Sequence, residues 1–146
     1  MPSRVIDAET RHRVMASIRK RDTRPEIAVR RALHAQGLRF RLHRNDLPGT
    51  PDVVLPGRRL AVFVHGCFWH QHPGCKWSRM PSGNTSYWGP KLARNVARDA
   101  KARQQLEALG WNVLVVWECD AQDVNRLRHI VQRIALSHID PLIASE

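Results

Sequence analysis

Acidic residues are scarce in this chain. Thirteen Asp and Glu stand against 24 Lys and Arg in 146 residues, a formal net charge of +11. Such a field attracts a polyanion, of which DNA or RNA is the commonest, and the preference for Arg suits phosphate geometry. A solubilising surface or an acidic protein partner is the blander account of the same charge. No window approaches the roughly 20 apolar residues of a membrane-spanning helix. The opening MPSRVIDAET is polar and has no apolar run of the secretory kind. The expected setting is therefore intracellular and reducing. Three cysteines, Cys67, Cys75 and Cys119, are an incomplete set for structural disulfides there. There is no internal repeat, low-complexity tract or linker, and the length fits one domain over 1–146. A domain of this size buries roughly 68–70% of its unfolded surface and needs no staple to fold.

The basic residues are unevenly spread. Residues 1–44 carry twelve Arg and Lys against four acids, and residues 89–103 carry five against one. Val14, Met15 and Ile18 recur at helical spacing within 8–21, which predicts a basic helix in an N-terminal arm over 1–22 that includes Arg19, Lys20 and Arg21. Thr23, Pro25 and Glu26 read as the cap, first-turn proline and early acid of a second helix, with Gly37 as its stop. Its apolar side is Ile27, Val29, Ala32 and Leu33. Strands are expected over Leu38–Leu42, Asp52–Leu55, Leu60–His65 and Trp111–Trp117. Residues 66–88 read as a long irregular segment. A helix is expected over Lys91–Leu109, with Leu92, Val96, Ala100, Leu106 and Leu109 inward, and a last one over Val124–Ile139 within 121–146. This order predicts an α/β domain whose small mixed sheet is flanked by helices, with the strands at 60–65 and 111–117 parallel because a helix connects them.

Three constellations carry chemistry. Pro51-Asp52 enters one strand near the polar end of the next, Phe63-Val64-His65. Magnesium asks for one or two carboxylates and keeps several waters, so Asp52, aided by Glu26, is a candidate for it. Taken alone, Asp52 is more often a turn residue and Glu26 a helix-dipole partner. The second constellation is Cys67, His72 and Cys75, with Cys119 at the end of the neighbouring strand. Three thiolates and an imidazole suit a closed, tetrahedral, structural zinc site. Its rival is a pair of buried cysteines acting as small hydrophobes. His72 fits the fourth ligand position better than His70. The third is aromatic: Phe68, Trp69, Tyr87 and Trp88 lie in the polar loop beside basic residues, as stacking or wedging side chains do, or as a cover over the zinc site would. Trp111 and Trp117 read as structural members of a core strand.

The segments Met15-x-x-Ile18, Asp22-Thr23-x-Pro25-Glu26, Leu47-Pro48-Gly49-x-Pro51-Asp52, Phe63-x-His65-Gly66-Cys67-Phe68-Trp69-His70, Trp88 with Lys91, Asn95-Val96-x-Arg98-Asp99 and Trp117-Glu118-Cys119 resemble, in order, the very short patch repair endonucleases, bacterial enzymes that nick DNA at T:G mismatches. The string His-Gly-Cys-Phe-Trp-His is highly specific. The resemblance implies a restriction-endonuclease-like core. It implies that Asp52 binds catalytic Mg²⁺, joined by the Val64 backbone carbonyl, with Glu26 in the outer shell. His65 and His70 become catalytic, His70 oriented by Asp99. Phe68, Trp69 and Trp88 become the wedge that enters the duplex, Lys91 and the 19–21 basic run contact DNA, and Cys67, His72, Cys75 and Cys119 hold Zn²⁺. Val64 stands where the family has threonine, so a side-chain hydroxyl is missing, and Pro73-Gly74 lengthens the loop before Cys75 by one residue. The implied reaction is a nick 5′ to the thymine of a T:G pair by a monomer in the bacterial cytoplasm, associated with the nucleoid, with mismatch-repair proteins as candidate partners. A zinc-stapled DNA-binding protein that cuts nothing, and an endonuclease acting on unmismatched duplex, are the alternatives.

Overall fold

The computed structural model describes residues 22–137. The predicted helix over 8–21, with Arg19, Lys20 and Arg21, and the last residues of the predicted C-terminal helix lie outside them. Helix α1 spans Arg24–Ala35. Thr23 caps it, its hydroxyl accepting from the Glu26 amide at 3.4 Å, while a Glu26 carboxylate oxygen accepts from the Asp22 amide at 3.0 Å. This reciprocal arrangement satisfies donors that the first turn leaves open. Strands β1 (Arg41–Leu42), β2 (Val53–Leu55), β3 (Leu60–His65) and β4 (Asn112–Trp117) form one sheet in the order β1-β2-β3-β4. The first two pairings are antiparallel and β3–β4 is parallel. Helix α2 (Thr85–Ala108) makes the crossover, the short α3 (Glu118–Ala121) follows β4, and α4 (Val124–Leu136) closes the described chain. The mixed sheet flanked by helices and the parallel pair are as expected. Among the described residues no helix is long and apolar enough to cross a membrane.

Alternation along the strands splits the molecule into two faces. Leu60, Val62 and Val64 of β3, with Leu114 and Val116 of β4, join Val29 and Leu33 of α1 and Leu127, Val131 and Ile134 of α4 in the core. Phe63 and His65, with Val113, Val115 and Trp117, face a cleft under α2 of about 900 Å³.

Four expectations are corrected. Helix α2 begins at Thr85, six residues before Lys91, and runs through Gly89-Pro90. Pro90 removes only one helical hydrogen bond, and ring contacts of Tyr87 and Trp88 hold the turn it weakens. Of the residues expected inward on this helix, Leu92 and Leu106 are buried, whereas Val96, Ala100 and Leu109 are exposed. The cause is the cleft: between Leu92 and Ala102 the helix stands off the sheet. The strand expected over Leu38–Leu42 shrinks to Arg41–Leu42, because Gly37 and Leu38 still belong to the helix stop, where both amides bond back to the last turn of α1. Trp117, expected in the core, lines the cleft, and Trp111 lies half-buried beneath the Arg44 and Arg59 guanidinium groups. Val116 is the one fully buried residue of β4, since only one face of that strand meets the core.

Candidate active site

The parallel register pairs His65 with Trp117. Both strands therefore end at one level, and the chain leaving each carries its thiols into one place. The loop after β3 turns at once: the His70 amide bonds to the Gly66 carbonyl at 3.1 Å and the His72 amide to that of Cys67 at 2.9 Å. Ser78 Oγ donates to the carbonyls of His72 and Cys75, and Gln71 Nε2 to those of Phe68 and Ser78. The segment is thus knitted by its own polar groups.

Within this turn consecutive side chains diverge. His70 Nδ1 lies 2.6 Å from Asp99 Oδ2 on α2. A carboxylate can only accept, so Nδ1 carries a proton, and in the neutral ring Nε2 is the nitrogen that presents a lone pair. His65 stacks on His70 with ring centroids 3.8 Å apart and planes 5° from parallel. Burial, and then the neighbouring His70, push His65 down to about 4, so it is neutral at pH 7. Asp52 accepts the Val64 amide at 2.7 Å, which leaves its other oxygen uncommitted by that bond. Burial pushes Asp52 up to about 6, with Glu26 adding to the rise, while the Val64 amide and His70 oppose it. Asp52, Glu26, Val64, His65, His70 and Asp99 all line the cleft.

Cys67, His72, Cys75 and Cys119 form a second group, their donor atoms all within 4.8 Å of one another. His72 Nδ1 stands 3.7 Å from Cys67 Sγ and 3.5 Å from Cys119 Sγ. His72, not His70, is the imidazole of this group. Cys119 sits in α3, a single turn absent from the sequence reading. Burial and the neighbouring thiols push Cys67 up to about 12, and burial raises Cys119 as well.

Phe68, Trp69 and Trp88 are half-buried and meet mainly edge to face at 5.1 to 5.8 Å between centroids. The Lys91 ammonium lies about 6 Å from the rings of Trp69 and Tyr87. Asn95 Nδ2 donates to the Trp69 carbonyl at 3.1 Å, so one face of α2 grips both Trp69 and, through Asp99, His70.

Sequence reasoning missed Arg30 and His43. Arg30 bonds to Asp22 at 2.8 Å, Glu26 at 3.1 Å and His43 Nε2 at 3.0 Å. A guanidinium thus already serves these metal-like donors, and His43 accepts through Nε2. The buried Glu26 is an ion-pair member as well as a cleft-lining residue. An arginine four residues after Glu26 was the available signal for that pair. Trp117 was assigned to the wrong face; strand alternation from Val116 would have placed it correctly.

Comparison with known proteins identifies the family. Residues 3–77 match the family described as DNA mismatch endonuclease Vsr. The chain is 51% identical over 130 residues to the type II nicking enzyme V.XorIIP of Xanthomonas oryzae, spanning 86% of this chain and 95% of that protein. It is 37% identical to the type II nicking enzyme V.NmeAIP of Neisseria meningitidis, over 89% of this chain and 95% of that one. It is 44% identical over 115 residues to the DNA mismatch endonuclease Vsr of Escherichia coli, spanning 79% and 73% of the two chains. On the matched sequence and these relatives, the chain belongs to the Vsr family and is a DNA endonuclease.

Proposed function

We propose that this endonuclease nicks one strand of duplex DNA 5′ to the thymine of a T:G mismatch, using magnesium at Asp52 and a structural zinc. The observation that carries the reading is the His70–Asp99 pair at 2.6 Å in the same cleft as Asp52. Its restriction-endonuclease-like core rests on Asp52 entering β2 and on Val64 and His65 ending β3 beside it.

Asp52 fits magnesium as one inner carboxylate with the Val64 carbonyl, the remaining positions being water. When bound, magnesium activates water and offsets charge building on the phosphate. His70 accepts a proton from the attacking water at Nε2, and Asp99 fixes its tautomer and stabilises the imidazolium that forms. His65, neutral and stacked on His70, suits a buttress better than a proton donor. The thiol–imidazole group fits zinc by its chemistry: bonds of about 2.3 Å to sulfur and 2.0 Å to nitrogen place tetrahedral ligands roughly 3.5–3.8 Å apart, against 3.5 and 3.7 Å here. A dication also answers the cost that raises the buried thiols.

Phe68, Trp69 and Trp88 wedge into the duplex near the mismatch, at an unstacking cost of a few kcal/mol per step. A T:G wobble deforms more readily than a matched pair, which supplies selectivity without base contacts. Lys91 and the basic run at 19–21 hold the backbone, mismatch-repair proteins are candidate partners, and the protein acts as a cytoplasmic monomer. The test is a nicking assay with magnesium on T:G, other mismatched and fully matched duplexes. T:G-selective nicking that collapses in Asp52→Ala and His70→Ala is expected. Equal cutting of matched duplex sinks the mismatch assignment, and wild-type rates in both variants sink the catalytic one.

A further inference from the structure

The last residue of β4 stands between the two ligand groups. The Trp117 indole lies parallel to the His72 imidazole, 4.2 Å between centroids and 10° between planes. It presents itself edge-on to His65 at 5.4 Å and 70°, and His65 in turn stacks on His70. A continuous run of rings, His72–Trp117–His65–His70, therefore leads from the thiol group to Asp99.

We propose that Trp117 is a positioning residue that couples the zinc site to the reacting imidazole, an inference resting on the reading of both sites given above. The terminal torsion of a histidine is broad and is set by its neighbours. His72 meets the thiols through one nitrogen, which leaves its ring free to tip unless something covers its face, and the indole does so. His65 lies 4.0 Å from Asp99, beyond hydrogen-bond length, so its plane is set by rings: His70 on one face, with Trp117 and Phe63 beside it. The plane of His65 then limits how His70 can turn about its bond to Asp99. Trp117 has no place in the core cluster, and that argues against a packing role alone. Metal-bound imidazoles depend on such outer partners for orientation.

The test uses Trp117→Leu and Trp117→Met, which fill space without a ring, and Trp117→Phe, which keeps one. Zinc content, duplex affinity, single-turnover nicking at saturating DNA and imidazole ¹H–¹⁵N spectra are measured on each folded variant. Full zinc and affinity, nicking about tenfold slower, and shifted His65 and His70 ring signals are expected for Leu and Met, with Phe recovering most of the rate. Wild-type rates with unmoved His70 signals overturn the inference, as does a rate loss explained wholly by lost zinc or weaker DNA binding. Zinc-free wild-type protein, or an active His70→Ala, overturns the underlying site reading instead, and neither result depends on Trp117.

Discussion

Asp99 shows how much one side chain can decide. Its carboxylate meets His70 at 2.6 Å and also lies 4.0 Å from His65. Asp99→Asn keeps the shape but offers an amide that can hold the wrong tautomer. We expect nicking to fall by about 10- to 100-fold, with duplex affinity unchanged, in single-turnover assays. Asp52 sets a pH dependence of definite sign. Its carboxyl, raised to about 6, is protonated below that pH in the metal-free protein. A proton then competes with magnesium, so the magnesium concentration for half-maximal nicking should rise as pH falls through about 6, by up to tenfold per unit. A flat magnesium requirement from pH 7 to pH 5 would contradict it. His65 bears on stability rather than on metal binding: with its pKa depressed to about 4, its neutral form stabilises the fold above pH 6.5, and that contribution is lost as pH falls toward 4.

At the scale of elements, α2 is a rod on which several parts are mounted. Trp88, Asn95 and Asp99 lie along it, and Ala102 touches the turn before Asp52. That contact requires Gly49. Its φ is +74°, and a Cβ there would come within 2.6 Å of Ala102 Cβ and 3.2 Å of the Phe63 ring. Gly49→Ala therefore combines left-handed strain with overpacking. We expect a loss of roughly 2–3 kcal/mol, read as a lower midpoint in urea, and slower nicking as Asp52 and α2 separate. This close approach was invisible in the sequence, where Pro48-Gly49 reads as a turn like any other. The helix itself was legible from Leu92 and Leu106, but its start was not, because the signal that overrides Pro90 is a set of ring contacts with Phe68 and Trp69, distant in the chain.

For the whole molecule, charge and the proposed zinc matter most. A net charge of +11 acting on a duplex makes binding salt-dependent: with 6–10 phosphate contacts, affinity should fall by about 10³–10⁵ between 50 and 200 mM salt. Fluorescence anisotropy measures the slope, and charge reversal at the exposed Arg94 and Arg98 should make it shallower. Removal of zinc by a chelator should lower the melting temperature and free the 66–84 segment, since its own hydrogen bonds are local. Hydrogen exchange of that segment reports the release. Protection unchanged after metal removal would count against the zinc.

The sequence by itself determined what is local and periodic: a capped helix at Thr23, the apolar strand at 60–65, the parallel crossover, the basic surface and the family-specific run from His65 to His70. Each depends on residues near one another in the chain or on composition. Only the tertiary structure decided the rest. Strand register turned Trp117 out of the core and beside His65; the tight turn after Gly66 gave the expected Cys119–Cys67, His72–thiol and His70–Asp99 groupings their distances; and α2, standing off the sheet, opened the cleft that Val96 and Ala100 were expected to fill. The reason is physical. Propensity and alternation act over a few residues, whereas which neighbouring imidazole meets a carboxylate and which meets a thiol depends on where distant segments are packed.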